Sequence, residues 1–270
     1  MIVFIPQGGL CNRMRSIDAA IGLSVVANTE LVIQWHKDPG LNAEFDELFK
    51  IPDKIHKLVT INYNGFLAQL RKSVRKRLYR VTFDQYFSEK DLMQFIVKGG
   101  DLVKLANQKS ICITACNRFL DVKPYYEHLE VNSETLNIAK SVIPDPSGII
   151  GVHLRRTDHK VAIARSPLVL FVKAMKQEVQ NDNKVRFFVA TDSIDTENEL
   201  TSIFPGRIIV HKKSTYNRAN VSAIRDALID LNCLSRTSKI IGSYSSSFSE
   251  EAANIGGVDL VVMDNDIFTK

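Results

Sequence analysis

Across the second half of the chain, short apolar runs alternate with longer stretches in which apolar residues recur at helical spacing. Gly148-Ile149-Ile150-Gly151-Val152, Arg186-Phe187-Phe188-Val189-Ala190-Thr191 and Lys239-Ile240-Ile241-Gly242 are such runs, each ended by polar residues. A strand buried on both faces of a parallel sheet reads this way. The pattern predicts strands over 149–153, 186–191, 208–211, 239–242 and 259–263. Between them it predicts a helix with Ser166 as N-cap and Pro167 at its first position. Further helices are expected over 196–204, 219–236 and 249–255. Strands alternating with helices predict a doubly wound parallel sheet.

The first half is less regular. Residues 2–6 read as a strand that runs through Gln7-Gly8-Gly9-Leu10-Cys11-Asn12-Arg13 into a helix with Met14, Ile17, Ile21 and Val25 on one face. A second strand is expected over 30–34, with a polar loop at 35–40. Phe45, Leu48 and Phe49 suggest a short helix, and 58–61 and 110–115 two more strands. Pro124, Tyr125 and Tyr126 mark a turn within 121–129, their rings either packed in the core or open to a base or sugar. Pro144-Asp145-Pro146-Ser147-Gly148 breaks any regular element and predicts domains over 1–143 and 148–270, with a linker at about 144–147.

Between Phe66 and Val81 the chain is both amphipathic and basic. Phe66, Leu67, Leu70, Val74, Leu78 and Val81 mark one helical face, and Arg71, Lys72, Arg75, Lys76, Arg77 and Arg80 crowd the rest. Such a helix either packs its apolar stripe inward with its cations in water, or meets an anionic lipid surface or acidic acceptor through 71–80. The net charge of +5 leans towards anionic partners without requiring nucleic acid. No apolar stretch is long enough to span a membrane, and the N-terminus lacks a basic region and a cleavage site, so a cytoplasmic protein is expected. That location includes the inner membrane surface if 71–80 meets lipid. Four scattered cysteines form neither a disulfide framework nor a zinc site and read as buried thiols.

The chemistry gathers at the ends of the apolar runs. The first run of the second half ends in His153-Leu154-Arg155-Arg156-Thr157-Asp158. Ligands of open α/β sheets bind at the carboxyl ends of strands, and arginine binds phosphate through a planar fork that keeps its charge. Side chains alternate along a strand, so at least one of Arg155 and Arg156 is expected to face a ligand; the alternative is a solvated Arg–Asp pair. Asp192-Ser193 ends the second run, and five serines fall within residues 243–249 ahead of a helix. A parallel sheet places these three polar sets along one edge. Gly8 and Gly9, between a strand and a helix, either seat a diphosphate or simply join the two elements. The spacing fits neither Gly-x-Gly-x-x-Gly nor a Walker loop.

Taken in order, His153 to Asp158, then Phe188-Val189-Ala190-Thr191-Asp192, then Asp230 through Ser245-Ser246 resemble the three motifs of the α1,6-fucosyltransferases. That family includes the eukaryotic core enzyme and the NodZ-like bacterial branch, within the α1,2/α1,6/protein O-fucosyltransferase superfamily. Gly8-Gly9-Leu10-Cys11-Asn12-Arg13 resembles the superfamily's N-terminal glycine motif. The resemblance covers about residues 148–256 and the first dozen, and is absent between 30 and 140. It implies a GT-B-like α/β fold of two Rossmann-like domains facing across a cleft, with the C-terminal domain holding the nucleotide and the N-terminal one on the acceptor side. The implied reaction is inverting, metal-independent transfer of L-fucose from GDP-fucose to a glycan hydroxyl.

The same resemblance implies roles. Arg155 meets the β-phosphate, Arg156 supports the loop or the phosphate, and Asp158 orders the arginines. His153 and Asp230 read guanine or ribose, Ser245 or Ser246 and the Gly8–Gly9 backbone hold phosphates, and Asn12, Arg13 and Asp192 complete the nucleotide set. No cofactor is implied beyond the donor substrate, and no Asp-x-Asp element is assigned to a metal. One departure stands out, because the family's glutamate after the motif aspartate is missing from His159-Lys160-Val161-Ala162-Ile163-Ala164-Arg165. Acceptor activation then falls to Asp158, His159, Asp38 of the N-terminal domain, or no strong base, which a loose oxocarbenium-like transition state permits. Three other readings stay open: a glycosyltransferase of the same fold using another nucleotide sugar, a non-enzymatic protein binding anionic glycans or nucleic acid, and an inactive relative that has lost the base.

Overall fold

The computed structural model of the protein describes residues 1–157, 160–213, 215 and 220–268. The chain divides into two compact units, residues 1–132 with 220–224, and residues 133–213 with 225–268. Among the described residues each unit holds one five-stranded, wholly parallel sheet.

In the first unit the order is β1 (Ile2–Pro6), α1 (Leu10–Val26), β2 (Leu31–Lys37), β3 (Lys57–Asn62) and α2 (Ala68–Thr82). Then come β4 (Gln85–Phe87), α3 (Glu89–Val97), α4 (Leu102–Gln108) and β5 (Ile111–Ala115). The strands lie in the order β3-β2-β1-β5-β4. The chain moves outward from β1 in one direction and returns on the other side, so the switch point falls between β1 and β5. Every residue of β1 is buried, as its unbroken apolar sequence requires.

Several expectations for this half are corrected. The second strand does not stop at residue 34 but continues through Lys37, because pairing with β3 extends to Lys37↔Asn62. Trp35, expected in a polar loop, is fully buried and donates its indole N–H to the Ala43 carbonyl at 2.8 Å. Phe45, Leu48 and Phe49 are buried but form a turn around the Phe45 carbonyl, not a helix. The basic segment is a helix, α2, yet its apolar stripe is not packed inward. Phe66, Leu70, Val74, Leu78 and Val81 are all exposed, and the face towards the sheet is formed by Lys72, Arg75 and Tyr79.

The second unit runs α5 (Ser133–Val142), β6 (Ile149–Leu154), α6 (Lys160–Arg165), α7 (Leu168–Asn181), β7 (Arg186–Thr191) and α8 (Ile194–Ile203). It continues with β8 (Ile208–Ile209), α9 (Val221–Ser235), β9 (Lys239–Ser243), α10 (Ser247–Gly256), β10 (Asp259–Met263) and α11 (Asn265–Phe268). The sheet order is β10-β9-β6-β7-β8, with the switch point between β6 and β9. Alternation along β6 sends Ile150, Val152 and Leu154 into a core with Phe171, Met175 and Phe187. The other face carries Gly151, where a methyl group would lie 2.7 Å from Thr237 Oγ1, so only glycine lets the end of α9 approach the strand.

Here too the helix boundaries shift. Pro167, not Ser166, is the N-cap of α7, because the Ser166 hydroxyl is already engaged elsewhere. The 208–211 strand shrinks to two residues. Cys11, Cys112 and Cys233 are buried thiols outside any disulfide, whereas Cys116, expected to be buried, is only partly so; burial pushes Cys112 and Cys233 up to about 12. No helix among the described residues is long and apolar enough to cross a membrane.

Candidate active site

In the second unit the switch point brings together the ends of β6, β9 and β7. Past Leu154 the backbone is held from both sides. The Arg155 N–H donates to Ser243 Oγ at 3.0 Å, and that hydroxyl donates to the His153 carbonyl at 3.2 Å. On the other side the Arg156 N–H and the Thr157 hydroxyl donate to the two carboxylate oxygens of Asp192, at 2.6 and 2.7 Å. Asp192 therefore fixes the arginine loop.

The two adjacent arginines diverge, as alternation requires. Arg156 turns back beneath the loop, donating from Nη2 to the Ser166 carbonyl at 2.6 Å and lying 5.7 Å above the Phe171 ring. Burial lowers its pKa against the pull of Asp192 and Glu199. Arg155 remains half-buried at the strand end, the position from which a side chain reaches a ligand at the switch point.

His153 is buried, its Nδ1 2.8 Å from Ser249 Oγ and its ring stacked on Phe248 at 4.7 Å. Both partners belong to α10, so the first turn of that helix is clamped against β6. Ser245 has a left-handed backbone, φ 49°, which turns the chain sharply before the helix. Ser246 is the N-cap, yet its side chain caps no N–H, and its buried Oγ has no hydrogen-bond partner. A buried hydroxyl left over at a helix N-terminus suits an anion. Asp230 is deeply buried on α9, its carboxylate 3.1 Å from Lys213 Nζ and 3.6 Å from His211 Nδ1. Asp158 and His159 lie outside the described residues.

Sequence reasoning missed Arg165. Its guanidinium grips Asp264 from two nitrogens at 3.0 and 2.6 Å, reaches Asp266 at 2.7 Å and covers Tyr244 at 3.8 Å. Asp264-Asn265-Asp266 is an Asp-x-Asp triplet at the end of β10, passed over in the sequence, and Arg165 pairs with both carboxylates. Ser166 adds a second tie, donating to the Met263 carbonyl at 2.5 Å and accepting the Tyr244 N–H at 2.8 Å. The only advance signal was an arginine-serine pair before a proline.

In the first unit the glycine turn also sits at a switch point. Gly8 has φ 82°, and Asn12 Nδ2 would lie 2.9 Å from any Cβ there, so a side chain is excluded twice over. Gly9 is the N-cap of α1, and its carbonyl accepts the Arg13 N–H at 3.0 Å. Asn12 Oδ1 is buried in the same turn without a partner. Gly8, Gly9 and Asn12 thus come together, and the Arg13 side chain lies behind the turn, tied to it through the Gly8 carbonyl. Its buried guanidinium donates to the Gly8 carbonyl at 2.8 Å, to the His36 carbonyl, and to Asp38 Oδ1 at 2.9 Å, with Trp35 4.8 Å below. Asp38 also accepts Lys72 Nζ at 3.0 Å. Burial works to raise the Asp38 pKa, but Arg13 and Lys72 overcome it and hold the carboxyl below its ordinary value. So paired, it is a poor proton acceptor. Among the described residues no group of three or more His, Cys, Asp or Glu side chains is placed to hold a metal ion.

Two parallel sheets with polar groups gathered at their switch points match the GT-B-like fold of fucosyltransferases. The structure of NodZ alpha-1,6-fucosyltransferase soaked with GDP-fucose, an enzyme from Bradyrhizobium, is similar with a TM-score of 0.64 and 16% identity, over 94% of this chain and 92% of that one. A FUT1 variant of Arabidopsis thaliana in complex with GDP gives 0.60 and 13%, over 97% of this chain and 69% of that one. POFUT1 in complex with GDP-fucose gives 0.59 and 14%, over 97% of each chain. At these identities the likeness establishes the fold. No protein-family model matches the sequence, and no curated protein sequence matches it.

Proposed function

We propose that the protein is a fucosyltransferase that moves L-fucose from GDP-fucose to a glycan hydroxyl, with inversion and without a metal ion. The observation that carries this reading is Arg155, whose backbone N–H is held by Ser243 at the switch point while Asp192 holds that of its neighbour Arg156, whose side chain turns inward. Of the three structural relatives reported above, NodZ and POFUT1 were solved with GDP-fucose and with GDP, and the FUT1 variant with GDP.

Breaking the bond between fucose and GDP leaves negative charge on the β-phosphate. A fixed guanidinium aimed at that oxygen stabilises the transition state more than the ground state, and removing one such donor typically costs ~10²–10³ in rate. The unpartnered Ser246 Oγ and the first N–H groups of α10 supply further donors for the diphosphate. In the first unit the Gly8–Gly9 backbone and Asn12 offer a second phosphate-binding turn, and Arg13 positions it from behind. His153, clamped by Ser249 and Phe248, and Asp230 are assigned to the nucleoside end. Arg156 and Asp192 act as positioning residues for Arg155.

The acceptor oxygen attacks the anomeric carbon as the bond to the β-phosphate breaks, GDP departs with the electron pair, and the acceptor proton passes to solvent water once bond formation is well advanced. A loose transition state of this kind makes a weak demand on the base. Asp38 is not that base, since two cations hold it ionised and occupied. The test is release of nucleoside diphosphate from GDP-fucose, GDP-mannose and UDP-sugars, with and without EDTA, using a panel of glycan acceptors. GDP-fucose turnover that EDTA leaves unchanged is expected. Preference for another donor, or loss of turnover in EDTA, overturns the proposal.

A further inference from the structure

The outward face of α2 plays no part in the site described above and is chemically unusual. The helix carries six cations, Arg71, Lys72, Arg75, Lys76, Arg77 and Arg80, and no acidic residue. Lys72, Arg75 and Tyr79 recur at helical spacing and face the sheet. Lys72 binds Asp38, and Tyr79 packs on the cluster of Val3, Ile5 and Cys112. That orientation sends Leu70, Val74, Leu78 and Val81 to solvent, with 61, 51, 54 and 81% of their surface exposed, and Phe66 just ahead of the helix is fully exposed. Single exposed apolar residues are ordinary, but a contiguous stripe along a helix marks a contact surface. On the helical wheel Arg71 and Arg77 flank this stripe on opposite sides.

We propose that α2 is an interfacial helix that docks the protein on an anionic lipid bilayer. Its axis would lie in the membrane plane, with Phe66, Leu70, Val74 and Val81 in the acyl boundary and Arg71, Lys76, Arg77 and Arg80 among the head groups. Charge and apolarity together select this partner. A nucleic acid or acidic glycan would engage the cations but leave the apolar stripe in water. A second copy of the chain would cover the stripe only by opposing two sets of cations. An anionic bilayer satisfies both features at once, which is the signature of a helix lying on a membrane surface. Lys72 joins α2 directly to Asp38 and so to the β2 end, which ties docking to the orientation of the first unit.

The test is flotation of the full chain with vesicles of phosphatidylcholine alone or with 30% phosphatidylglycerol, at low and high salt. Binding is expected only to the anionic vesicles and should weaken as salt rises. The exposed triple variant Leu70→Gln/Val74→Gln/Leu78→Gln should abolish it. Arg71→Gln/Arg77→Gln should weaken it about 25-fold, at roughly fivefold per cation near the surface. Circular dichroism should show both variants folded, since the altered side chains point to solvent. Three results overturn the proposal: no binding to anionic vesicles at low salt, binding that the triple variant leaves intact, or concentration-dependent dimerisation that the triple variant removes. Heparin binding insensitive to the triple variant, with no vesicle binding, would assign the face to polyanions instead.

Discussion

Replacing Arg13 by methionine keeps most of the side chain's length and apolar stem but removes the fork. Three acceptors lose a donor at once: the Gly8 carbonyl, the His36 carbonyl and Asp38 Oδ1. Removing one partner of a buried ion pair costs about 3–5 kcal/mol, chiefly because the other charge is stranded. Asp38 is not wholly stranded, since Lys72 Nζ remains at 3.0 Å and the Gly40 N–H at 3.1 Å. The lower end of that range, about 3 kcal/mol, is therefore expected. For a chain of this size it corresponds to a fall of roughly 6–12 °C in Tm. Urea and thermal unfolding measure the total, and Asp38→Asn with the double variant measures the coupling, expected at about 1–3 kcal/mol. Hydrogen exchange should quicken around residues 8–13 and 36–41, the segments the fork ties together. A stability change within about 0.5 kcal/mol, or strictly additive variants, would refute the inward role of this arginine.

His36 lies beneath the same fork, where burial first, then Arg13 and Lys72, lower its pKa from 6.5 to about 4. Protonation thus favours the unfolded chain. The contribution is fully present above pH ~6.5 and is lost as pH falls towards ~4, about 3 kcal/mol in all. Urea titrations between these values should show a shallower pH slope for His36→Gln than for the wild type, and equal slopes would contradict the burial of a neutral ring. Gly151→Ala puts a methyl group 2.7 Å from Thr237 Oγ1 and 2.9 Å from Leu234 Cδ2. It should cost about 1–3 kcal/mol in thermal unfolding, and a neutral result would mean that α9 is not seated tightly on β6.

The second unit was largely legible because both faces of its sheet are buried. Runs such as Phe187-Phe188-Val189-Ala190 have no other stable use, and each strand there was placed within a few residues. The first unit hid more. β4 is only three residues long and α4 only seven, too short for periodicity to register. The start of α3 did carry a signal, the capping box Ser88-x-x-Asp91, which went unread. α2 was legible as a helix but which of its faces turns inward was not, because tertiary contacts from Lys72 and Tyr79 decide that. In the site, strand ends located Arg155, Asp192 and Ser246 together. Which arginine faces inward was set by the Ser166 carbonyl and Phe171, partners ten or more residues away that no local pattern announces.

The most direct test of the proposed chemistry compares GDP with GMP, which differ by the β-phosphate alone. Isothermal titration of the wild type should show GDP bound well ahead of GMP. In Arg155→Ala that preference should collapse while GMP affinity stays the same, because only the β-phosphate contact is removed. An Arg155→Ala protein that still prefers GDP over GMP by the wild-type margin would contradict the assignment of this guanidinium to the leaving diphosphate.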